Sequence, residues 1–582
     1  MEALAAFSSV VLAYDWGLFV KIGTIIALIA ALLVAVYDRY VQRTNQILVN
    51  YPLIGHLRYF FYLIRDPMRQ YFGDEKYFDS FDKVEWVNRA AENKSLLFGY
   101  SPSLPYGRER ILLRHSQHVL NLEEVQEEFS VTFGPSRLHP FRSRSVIGRS
   151  AMSDGAISPE ATQAFARAAF NAHFPINTGE GGLTHNFLAS HRCNGERESY
   201  LQIESGTWFA KSVYYLIRFF FNRENAAAVY RRMVIPGSES ETYSFDHEAL
   251  AFFRIDWSQP LDHFPESVPD DLPDIVFQMG SGLYGVKDRE GNFDPDRYRK
   301  VMRFCRMTEV KIAQGAKPSG GKLPAEKVTE YIAYYRGVEP YKAVISPNRF
   351  PYATTEGMLL EFIGTLQKLS GKPVGMKIAV SSRDGLEPLV RLMRERMEQG
   401  ESLPDFITVD GGDGGSGAAP LEMMSRTALP IHQALPVAGT LLREHGLRDA
   451  VKVIASEKVL TPDDAVVLFA MGADFVNIAR GFMISAGCIR ARHCSGADGK
   501  RCPVGLATMD KARRRSFLIQ QKTKTIARYH DALLQGIRAL LAVMGKERLA
   551  QLGREDLMTA EAHGTSGTME TLRADSRHPS GA

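Results

Sequence analysis

The sequence predicts an α/β fold, a (β/α)8 barrel of the TIM type with an N-terminal membrane-anchoring helix, an inserted segment and C-terminal helices. The barrel is predicted because short β-branched or apolar runs alternate with helical stretches over roughly 350 residues. Most of these runs end in or near Gly, Ser, Asp or Asn. Alternation of this kind is typical of parallel β/α architecture, for which a closed barrel is the most economical form.

Nine runs qualify as candidate strands, whereas a barrel of this type uses eight. One run is therefore extra or lies outside the closed sheet, and spacing alone does not identify it. The nine are Ser145–Ser153, Pro175–Gly179, Ile275–Gly280, Glu309–Gln314, Ala343–Ser346, Val374–Val380, Phe406–Asp410, Val451–Ala455 and Phe475–Ala479.

The composition is that of a globular protein, with 45% hydrophobic and 23% charged residues among 582. A net charge of +4 is slight for this length, and there is no long basic block, so we expect no nucleic-acid partner. Only five cysteines are present, and three of them are clustered. That pattern argues against a disulfide framework and favours a reducing compartment.

An apolar segment near the N-terminus, Trp16 to Tyr37, has a single charge at Lys21. Its sixteen uncharged residues from 22 to 37 span a bilayer if the preceding residues contribute by snorkelling. Arg39 and Arg43 follow it, so the positive-inside bias predicts a single-pass anchor in the inner (plasma) membrane with a cytoplasmic catalytic part. A buried core helix is the alternative.

The chain is expected to divide into five parts. A membrane anchor (1–45) and an N-terminal extension (46–144) precede the barrel (145–510), which carries an insertion at about 184–270. C-terminal helices (511–558) and a disordered tail (559–582) follow, because the last segment is polar and contains Gly and Ser.

The chemistry is concentrated between Gly487 and Thr508, where Cys488, Cys494 and Cys502 form a C-x5-C-x7-C pattern. Three thiolates from one loop suit a soft metal centre, and a cubane lacking one iron needs three protein ligands. Two alternatives remain open. One is zinc with His493 as a fourth ligand, although structural zinc sites prefer closer cysteine pairs. The other is three unmetallated thiols.

Two further features suggest a bound flavin mononucleotide. A candidate strand runs into the glycine-rich DGGDGGSGAAP, whose backbone N–H groups suit a phosphate; a plain flexible loop is the alternative. Lys377 lies within the otherwise apolar VGMKIAV. A buried cation needs a partner, either a flavin ring that gains negative charge on reduction or an ordinary carboxylate.

Three charged residues are candidates for binding an anionic substrate: Glu180, Lys317 and Arg336. Arginine and lysine pair with carboxylates, and Glu180 lies in a Gly-rich strand end. Taken singly, each is more often a surface charge.

Together, these motifs resemble the FMN-binding synthase domain of glutamate synthases, in its shorter, membrane-anchored branch. The order and number of the matching pieces carry the resemblance. They are SAMSDGAISPE, NTGEGG, QMGSGLYGV, KIAQGAKP, LPAEKV, VGMKIAV, DGGDGGSGAAPLE and the cysteine loop ending in CPVGLAT.

The resemblance implies a barrel that binds FMN beside a [3Fe-4S] cluster held by the three cysteines. It places Glu180, Lys317 and Arg336, with Lys377, among the catalytic and 2-oxoglutarate-binding residues. The implied FMN-binding residues are Ala151, Met152 and Ser153 along the ring, Gln278 and Lys377 at its polar edge, and Gly414, Gly415, Ser416, Gly417, Ala479, Arg480 and Gly481 around the phosphate.

The implied activity is reductive amination of 2-oxoglutarate, or a related 2-oxo acid, to an amino acid. We expect ammonia to arrive free or from another subunit, because the chain begins Met1-Glu2 rather than with the nucleophilic cysteine of a glutaminase half. Electrons are expected from a ferredoxin-like protein, another subunit or membrane quinone, and a homo-oligomer is compatible with the sequence.

Departures from the large synthases, such as Lys322 in place of a glutamine and Ser456-Glu457-Lys458 in place of Asp-Gly-Gly, leave other functions open. One is an amino-acid dehydrogenase or electron-transfer module coupled to quinone or a partner subunit. Another is a barrel that serves only as a membrane scaffold.

Overall fold

In the computed structural model the chain forms two compact units, residues 1–78 and residues 79–582. The structure describes residues 16–41, 48, 52–57, 81–96, 110–190, 197–200, 212–213, 215–216, 219, 248–252, 255–318, 322–415, 419–420, 422–423, 426–496, 500–514, 517–560 and 566–568.

Eight parallel strands close into a barrel, as the sequence predicts. Each strand pairs with its neighbour in chain order, and the eighth pairs with the first. The strands are β1 (Ile147–Arg149), β2 (Ile176–Asn177), β3 (Ile275–Met279), β4 (Met307–Lys311), β5 (Val374–Ala379), β6 (Phe406–Asp410), β7 (Lys452–Ser456) and β8 (Phe475–Ile478).

The ninth candidate strand lies outside the barrel. Val344–Ile345 pairs antiparallel with Lys322–Leu323, and the two form a short ribbon. This ribbon belongs to the long connection between β4 and β5. The connection also contains the helix Glu330–Arg336, which positions a candidate site residue.

Helices follow most of the strands and cover the outside of the barrel. They are α1 (Pro159–Ala172), α2 (Pro295–Met302), α3 (Glu356–Ser370), α4 (Arg383–Glu398), α5 (Ile431–Glu444), α6 (Pro462–Ala470), α7 (Arg480–Ser485) and α8 (Ile519–Val543). Several begin at a side-chain cap. In α1, for example, the Ser158 hydroxyl accepts from the Ala161 N–H, and proline occupies an early position where no N–H donor is needed.

The amino end of the barrel interior is apolar. Val276, Met307, Phe406, Ile454 and Phe475 alternate inward from five strands and form one buried cluster.

A hairpin closes this end of the barrel. Its strands, Val131–Phe133 and Phe141–Ser143, pair antiparallel, and the Phe133 ring packs edge-on against Phe406 and Phe475. Arg137 on the hairpin donates to Asp405 at 2.8 Å, next to the start of β6. Because large rings fill the barrel here, this end is a stabilising plug.

Helix α8 packs against α1, α6 and the helix Phe81–Ala91 of the N-terminal extension. Buried Tyr529 on α8 donates to the carbonyl of Leu460, and buried His530 lies 2.9 Å from the Ser145 hydroxyl just before β1. The C-terminal helix α8 is therefore part of the layer of helices that surrounds the barrel.

Two small antiparallel sheets complete the larger unit. In one, Ala189–Ser190 and Arg197–Tyr200 flank Glu248–Phe252 within the predicted insertion. In the other, Arg110–Leu113 pairs with Leu557–Ala560, which pairs with Ser566–Thr568. The last two strands include residues that the sequence assigns to the tail.

In the smaller unit, an α-helix spans Trp16–Val36 and continues as a π-helical turn, Tyr37–Val41. Residues 21–41 have a mean hydropathy of 2.0, and 6% of the most apolar window is buried within the structure. By length and composition this segment qualifies as a membrane anchor or as a signal sequence.

Candidate active site at the carboxyl end of the barrel

Above the apolar plug, the barrel interior becomes polar. Glu309 on β4 is 1% exposed and accepts three hydrogen bonds within the barrel. The donors are the side chains of Asn177 at 2.9 Å, Gln278 at 2.6 Å and Thr408 at 2.5 Å. A buried carboxylate is tolerated only with such partners, so this network fixes the predicted cofactor residue Gln278 in one orientation.

Lys377 points into the barrel from β5, and its Nζ lies 3.2 Å from the Asp410 carboxylate on β6. Burial by itself lowers the pKa of this amine, but the carboxylates of Asp410 and Glu309 outweigh it and raise the pKa above its ordinary value. Asp410 also accepts from the Gly315 N–H at 2.9 Å. Lys377 is thus held as a permanent cation. Of the two partners considered from the sequence, a flavin ring or a carboxylate, the structure contains the carboxylate, that of Asp410.

A second buried lysine, Lys311, lies at the carboxyl end of β4, and its Nζ is 3.1 Å from Glu180 Oε2. Glu180 follows β2, where the chain turns at Gly179 with a φ of +66°. A Cβ on Gly179 would lie 2.6 Å from the Ser153 nitrogen, so only glycine fits this turn. The turn brings Glu180 to the barrel mouth.

Arg336 ends the helix Glu330–Arg336 and is 5% exposed. Its Nη2 donates to the Asp154 carbonyl at 3.1 Å, and its guanidinium lies over the Tyr284 ring. Among the described residues its Nε has no hydrogen-bond partner, and burial lowers its pKa below the ordinary value for arginine. A buried cation beside Glu180 with an unused donor is suited to bind a substrate carboxylate.

The loop after β1 contains Ala151, Met152 and Ser153, all partly buried. Next to it, the buried Asp154 carboxylate accepts from Thr184 at 2.7 Å and Tyr331 at 3.0 Å, as well as from Asn186 at 2.8 Å. These bonds join the β1 loop to the β2 loop and to the helix that carries Arg336. The predicted flavin loop is therefore held against the predicted substrate residues.

The glycine-rich loop begins directly after β6. The Gly414 N–H donates to Gly411, and the Gly414 carbonyl accepts from Ala316 at 2.9 Å. Gly415 has a φ of +78°. Ser416 and Gly417 lie outside the described residues, as does the side chain of Lys317, although the backbone of Lys317 pairs with Gln314.

Glu457 ties this loop to the end of β7. Its carboxylate accepts from the Asp413 N–H at 2.6 Å and from the Ile431 N–H, at the start of α5, at 2.7 Å. Burial raises the pKa of Glu457, although both backbone donors act in the opposite direction. Glu457, the middle residue of the Ser456-Glu457-Lys458 segment, thus helps to fix the conformation of the glycine-rich loop through its side chain.

Ala479, Arg480 and Gly481 lie at the end of β8, where α7 begins. The Ile478 carbonyl accepts from the Ser150 N–H at 2.9 Å, which joins this strand end to the β1 loop. A Cβ on Gly481 would lie 1.9 Å from the Tyr529 hydroxyl, so packing against α8 requires glycine. Helix α8 therefore covers one side of the carboxyl end of β8.

The cysteine loop follows α7, and Cys488, Cys494 and Cys502 are all free thiols. Burial raises the pKa of Cys488 to about 11, and the other two thiols each contribute to that rise. Burial and the Cys502 thiol raise the pKa of Cys494, although Lys327 acts in the opposite direction. The three sulfurs are thus near enough to one another to interact electrostatically. Among the described residues, no three His, Cys, Asp or Glu side chains converge on a single metal ion.

In the described part of the chain, three hydrogen bonds attach the cysteine loop to the barrel mouth. Buried Lys327 donates to the carbonyls of Cys494 at 3.0 Å and Ala507 at 3.4 Å. The Leu506 carbonyl accepts from the Ser158 N–H at 2.9 Å, close to the β1 loop. Lys327 precedes the helix that carries Arg336, so one short segment joins the cysteines to the candidate substrate residues.

The structure brings Glu180 and Arg336 together at the mouth, with Lys377 and Gln278 in the interior beneath them. The sequence interpretation missed four buried charges there: Glu309, Lys311, Asp410 and Asp154. For Lys311 a signal was available, because it lies between the apolar residues Val310 and Ile312.

A family model described as the conserved region in glutamate synthase matches residues 105–547. The chain belongs to the glutamate synthase family. This membership confirms the resemblance drawn from the motifs, and with the barrel it supports an FMN-binding oxidoreductase of glutamate synthase type.

Three curated relatives show the range of similarity. The glutamate synthase large subunit-like protein YerD of Bacillus subtilis is 38% identical over 301 residues, which is 51% of this chain and 56% of YerD. The ferredoxin-dependent glutamate synthase of Cyanidium caldarium is 29% identical, covering 50% of this chain and 17% of that protein. The large chain of the NADPH glutamate synthase of Azospirillum brasilense is 27% identical, covering 59% and 22%.

The matched regions therefore amount to about half of YerD and about a fifth of the large synthases. Among solved structures, mandelate oxidase aligns over 83% of this chain and 91% of its own at a TM-score of 0.36 and 14% identity. The barrel is established by its own strand pairing.

Proposed function

We propose that this protein is a membrane-anchored oxidoreductase that converts 2-oxoglutarate, or a related 2-oxo acid, and ammonia into an amino acid. FMN and a [3Fe-4S] cluster are its proposed cofactors. The observation that carries the proposal is the charged interior at the carboxyl end of the barrel, where Lys377 and Glu309 lie beneath Glu180, Lys311 and Arg336. In barrels of this type, active sites lie at this end.

Lys377, Gln278 and the loop 151–153 would hold the flavin ring. The permanent cation of Lys377 favours a ring that gains negative charge on reduction. Gly415, Ser416, Gly417 and residues 479–481 would hold the phosphate through backbone N–H groups, and Gly414, whose N–H donates to the Gly411 carbonyl, would support the loop. FMN, when bound there, supplies the hydride that reduces an imine.

Arg336 would bind a carboxylate of the 2-oxo acid through its unused Nε donor, and Lys317 or Lys311 would bind the other. Two fixed cations would hold both carboxylates of a dicarboxylate at once, which limits its orientation, and the 2-oxo carbon would have to face the ring. Glu180, paired with Lys311 at 3.1 Å, would accept a hydrogen bond from the nitrogen of the bound imine.

Cys488, Cys494 and Cys502 would hold the cluster, which would supply electrons to the flavin. The electron donor is proposed to be a reduced ferredoxin-like protein or a membrane quinol. The segment 21–41 supports placement at the inner membrane, where such a donor is reached from the cytoplasmic face.

A direct test uses the full chain purified anaerobically in detergent. After reduction with dithionite, addition of 2-oxoglutarate with ammonium is expected to reoxidise the flavin and to yield glutamate, whereas ammonium alone is not. Arg336→Met is expected to raise KM for the oxo acid about 10²-fold, because removal of a charge-assisted, buried pair costs a few kcal/mol. The proposal would be contradicted if the purified protein contained no flavin. It would also be contradicted if the rate at which the reduced flavin is reoxidised did not depend on any 2-oxo acid tried.

The second candidate reaction is oxidation of an amino acid with electrons passed to quinone. It is favoured by the apolar segment 21–41 and by Lys322, which stands where the large synthases have a glutamine. Reduction of the flavin by glutamate under anaerobic conditions, with no reoxidation by 2-oxoglutarate and ammonium, would select it.

A further inference from the structure

Arg149 is the last residue of β1 and is completely buried. No carboxylate pairs with it within the part of the chain that the structure describes, and two of its nitrogens, Nε and Nη2, have no hydrogen-bond partner there. Two other buried cations near the site, Lys377 and Lys311, each have a carboxylate within 3.2 Å. Arg149 differs from both in having none among the described residues.

The remaining nitrogen of Arg149 holds the loop that follows the strand. Nη1 donates to the carbonyls of Ser150 and Met152, both at 3.1 Å. The rings of Phe165 and Phe187 lie 5.3 and 5.7 Å from the guanidinium carbon and offer it cation–π contacts. The cation is therefore held between two rings directly behind the loop that contains Ala151–Ser153.

Such a residue is costly to the fold. An unpaired cation loses its hydration on burial, and aromatic faces restore only part of that loss. Burial lowers the pKa of Arg149 to about 9, so the guanidinium is still charged at neutral pH. A leucine at this position would pack against both rings without the cost. Positions that break the packing rules in this way are expected at functional sites.

We propose that Arg149 is a positioning residue for the flavin, and that its uncompensated positive charge behind the Ala151–Ser153 loop raises the flavin's reduction potential. The inference rests on the proposed function, since it requires FMN at the carboxyl end of the barrel. The charge acts because reduction adds negative charge to the ring, and a low-dielectric surrounding carries the attraction further than water does.

The test is a spectroelectrochemical titration of the flavin in the full chain, carried out on the wild type and on Arg149→Leu, Arg149→Gln and Arg149→Lys. Glutamine retains an amide donor for the loop carbonyls but no charge, so it separates the charge from the positioning. We expect the two neutral variants to lower the midpoint potential by a tenfold change in the reduction equilibrium, about 30 mV for a two-electron couple. The lysine variant is expected to stay near the wild type.

Arg137→Leu is the matched control. Arg137 is also largely buried, but it pairs with Asp405 at the plugged end of the barrel. Its loss is expected to lower the melting temperature and leave the potential unchanged. Arg149→Leu is expected to show the reverse pattern, a melting temperature at or above that of the wild type and a lower potential.

The possible results separate the two proposals. A wild-type chain that binds no flavin overturns the proposed function and this inference with it. Flavin-loaded Arg149→Gln with the wild-type potential overturns only this inference and leaves the proposed function standing, as does a shift of equal size in Arg137→Leu. If the leucine variant does not accumulate, the glutamine and lysine variants supply the same comparison.

Discussion

The two ends of one barrel differ in what fills them. At the amino end, Phe406 and Phe475 meet Phe133 of the hairpin and leave the interior apolar. At the carboxyl end, β6 presents Asp410 and the neighbouring β5 presents Lys377, among other buried charges. The closed end therefore stabilises the fold through packing. At the charged end, the burial of charged side chains costs folding free energy, and these side chains are suited to bind ligands.

The largest effect is expected from emptying the closed end. Phe406→Ala removes a ring that contacts Phe133 and covers Gly375, and the cavity should lower the free energy of unfolding by about 3–5 kcal/mol. Chemical denaturation of the purified protein measures this. Phe406→Leu is the control and should lose less. The flavin spectrum of the remaining folded protein should not change; a changed spectrum would mean that the two ends are not separate.

At the charged end, Lys377→Met is expected to reduce turnover of the 2-oxo acid about 10²-fold, equivalent to ~2.7 kcal/mol in transition-state energy, because the cation no longer stabilises the reduced ring. The variant also leaves Asp410 buried without its partner. The double variant Lys377→Met with Asp410→Asn should therefore recover stability without recovering turnover. Recovery of both in the double variant would assign Lys377 a structural role only.

A pH effect is expected where α8 meets the base of β1. Burial lowers the pKa of His530 below 6.5, although Asp531 acts in the opposite direction. Below that pH the unfolded chain binds a proton that the folded chain rejects, so the free energy of unfolding falls as the pH falls, by at most about 1.4 kcal/mol per pH unit.

Unfolding by urea at pH 7.5, 6.5 and 5.5 checks this effect. His530→Gln, which keeps a donor near the Ser145 hydroxyl, should remove this part of the pH dependence. Parallel curves for the wild type and the variant would rule out His530 as its source.

The smallest effect is expected from Lys327→Met. Loss of its bonds to Cys494 and Ala507 should cost about 1 kcal/mol and loosen the cysteine loop, so iron should be lost while flavin is retained. Lys372→Met is a matched control at the other end, because Lys372 also donates to two carbonyls, those of Met302 and Cys305. Equal iron content in both variants would contradict a link between Lys327 and the cysteines.

The barrel could be predicted from the sequence because its strands are buried on both faces and read as short apolar runs. The spacing of the runs could not show which of the nine candidate strands lies outside the barrel. Val344–Ile345 has the composition of a strand, but its partner Lys322–Leu323 lies outside the barrel. Lys377 was recognised because a lone cation in an apolar strand is conspicuous. Glu309 was not recognised as a site residue, because its strand MTEVK also contains threonine and lysine and resembles an ordinary amphipathic segment.

Contacts between residues far apart in the chain were the least accessible. Lys327 bonds to Cys494 across 167 positions, and no local pattern marks that pair. Arg149 was overlooked for a different reason, because an arginine at a strand end is usually solvated. Only the structure shows that two rings surround it.

The most direct test of the central claim is combined absorption and EPR spectroscopy on the full chain, purified anaerobically from iron-supplied cells, beside Lys377→Met and Cys494→Ser. We expect the wild type to show a flavin absorption spectrum together with the EPR signal of an oxidised [3Fe-4S] cluster. Lys377→Met should perturb the flavin alone, and Cys494→Ser should abolish the cluster signal. A wild-type protein with neither flavin nor iron would contradict it.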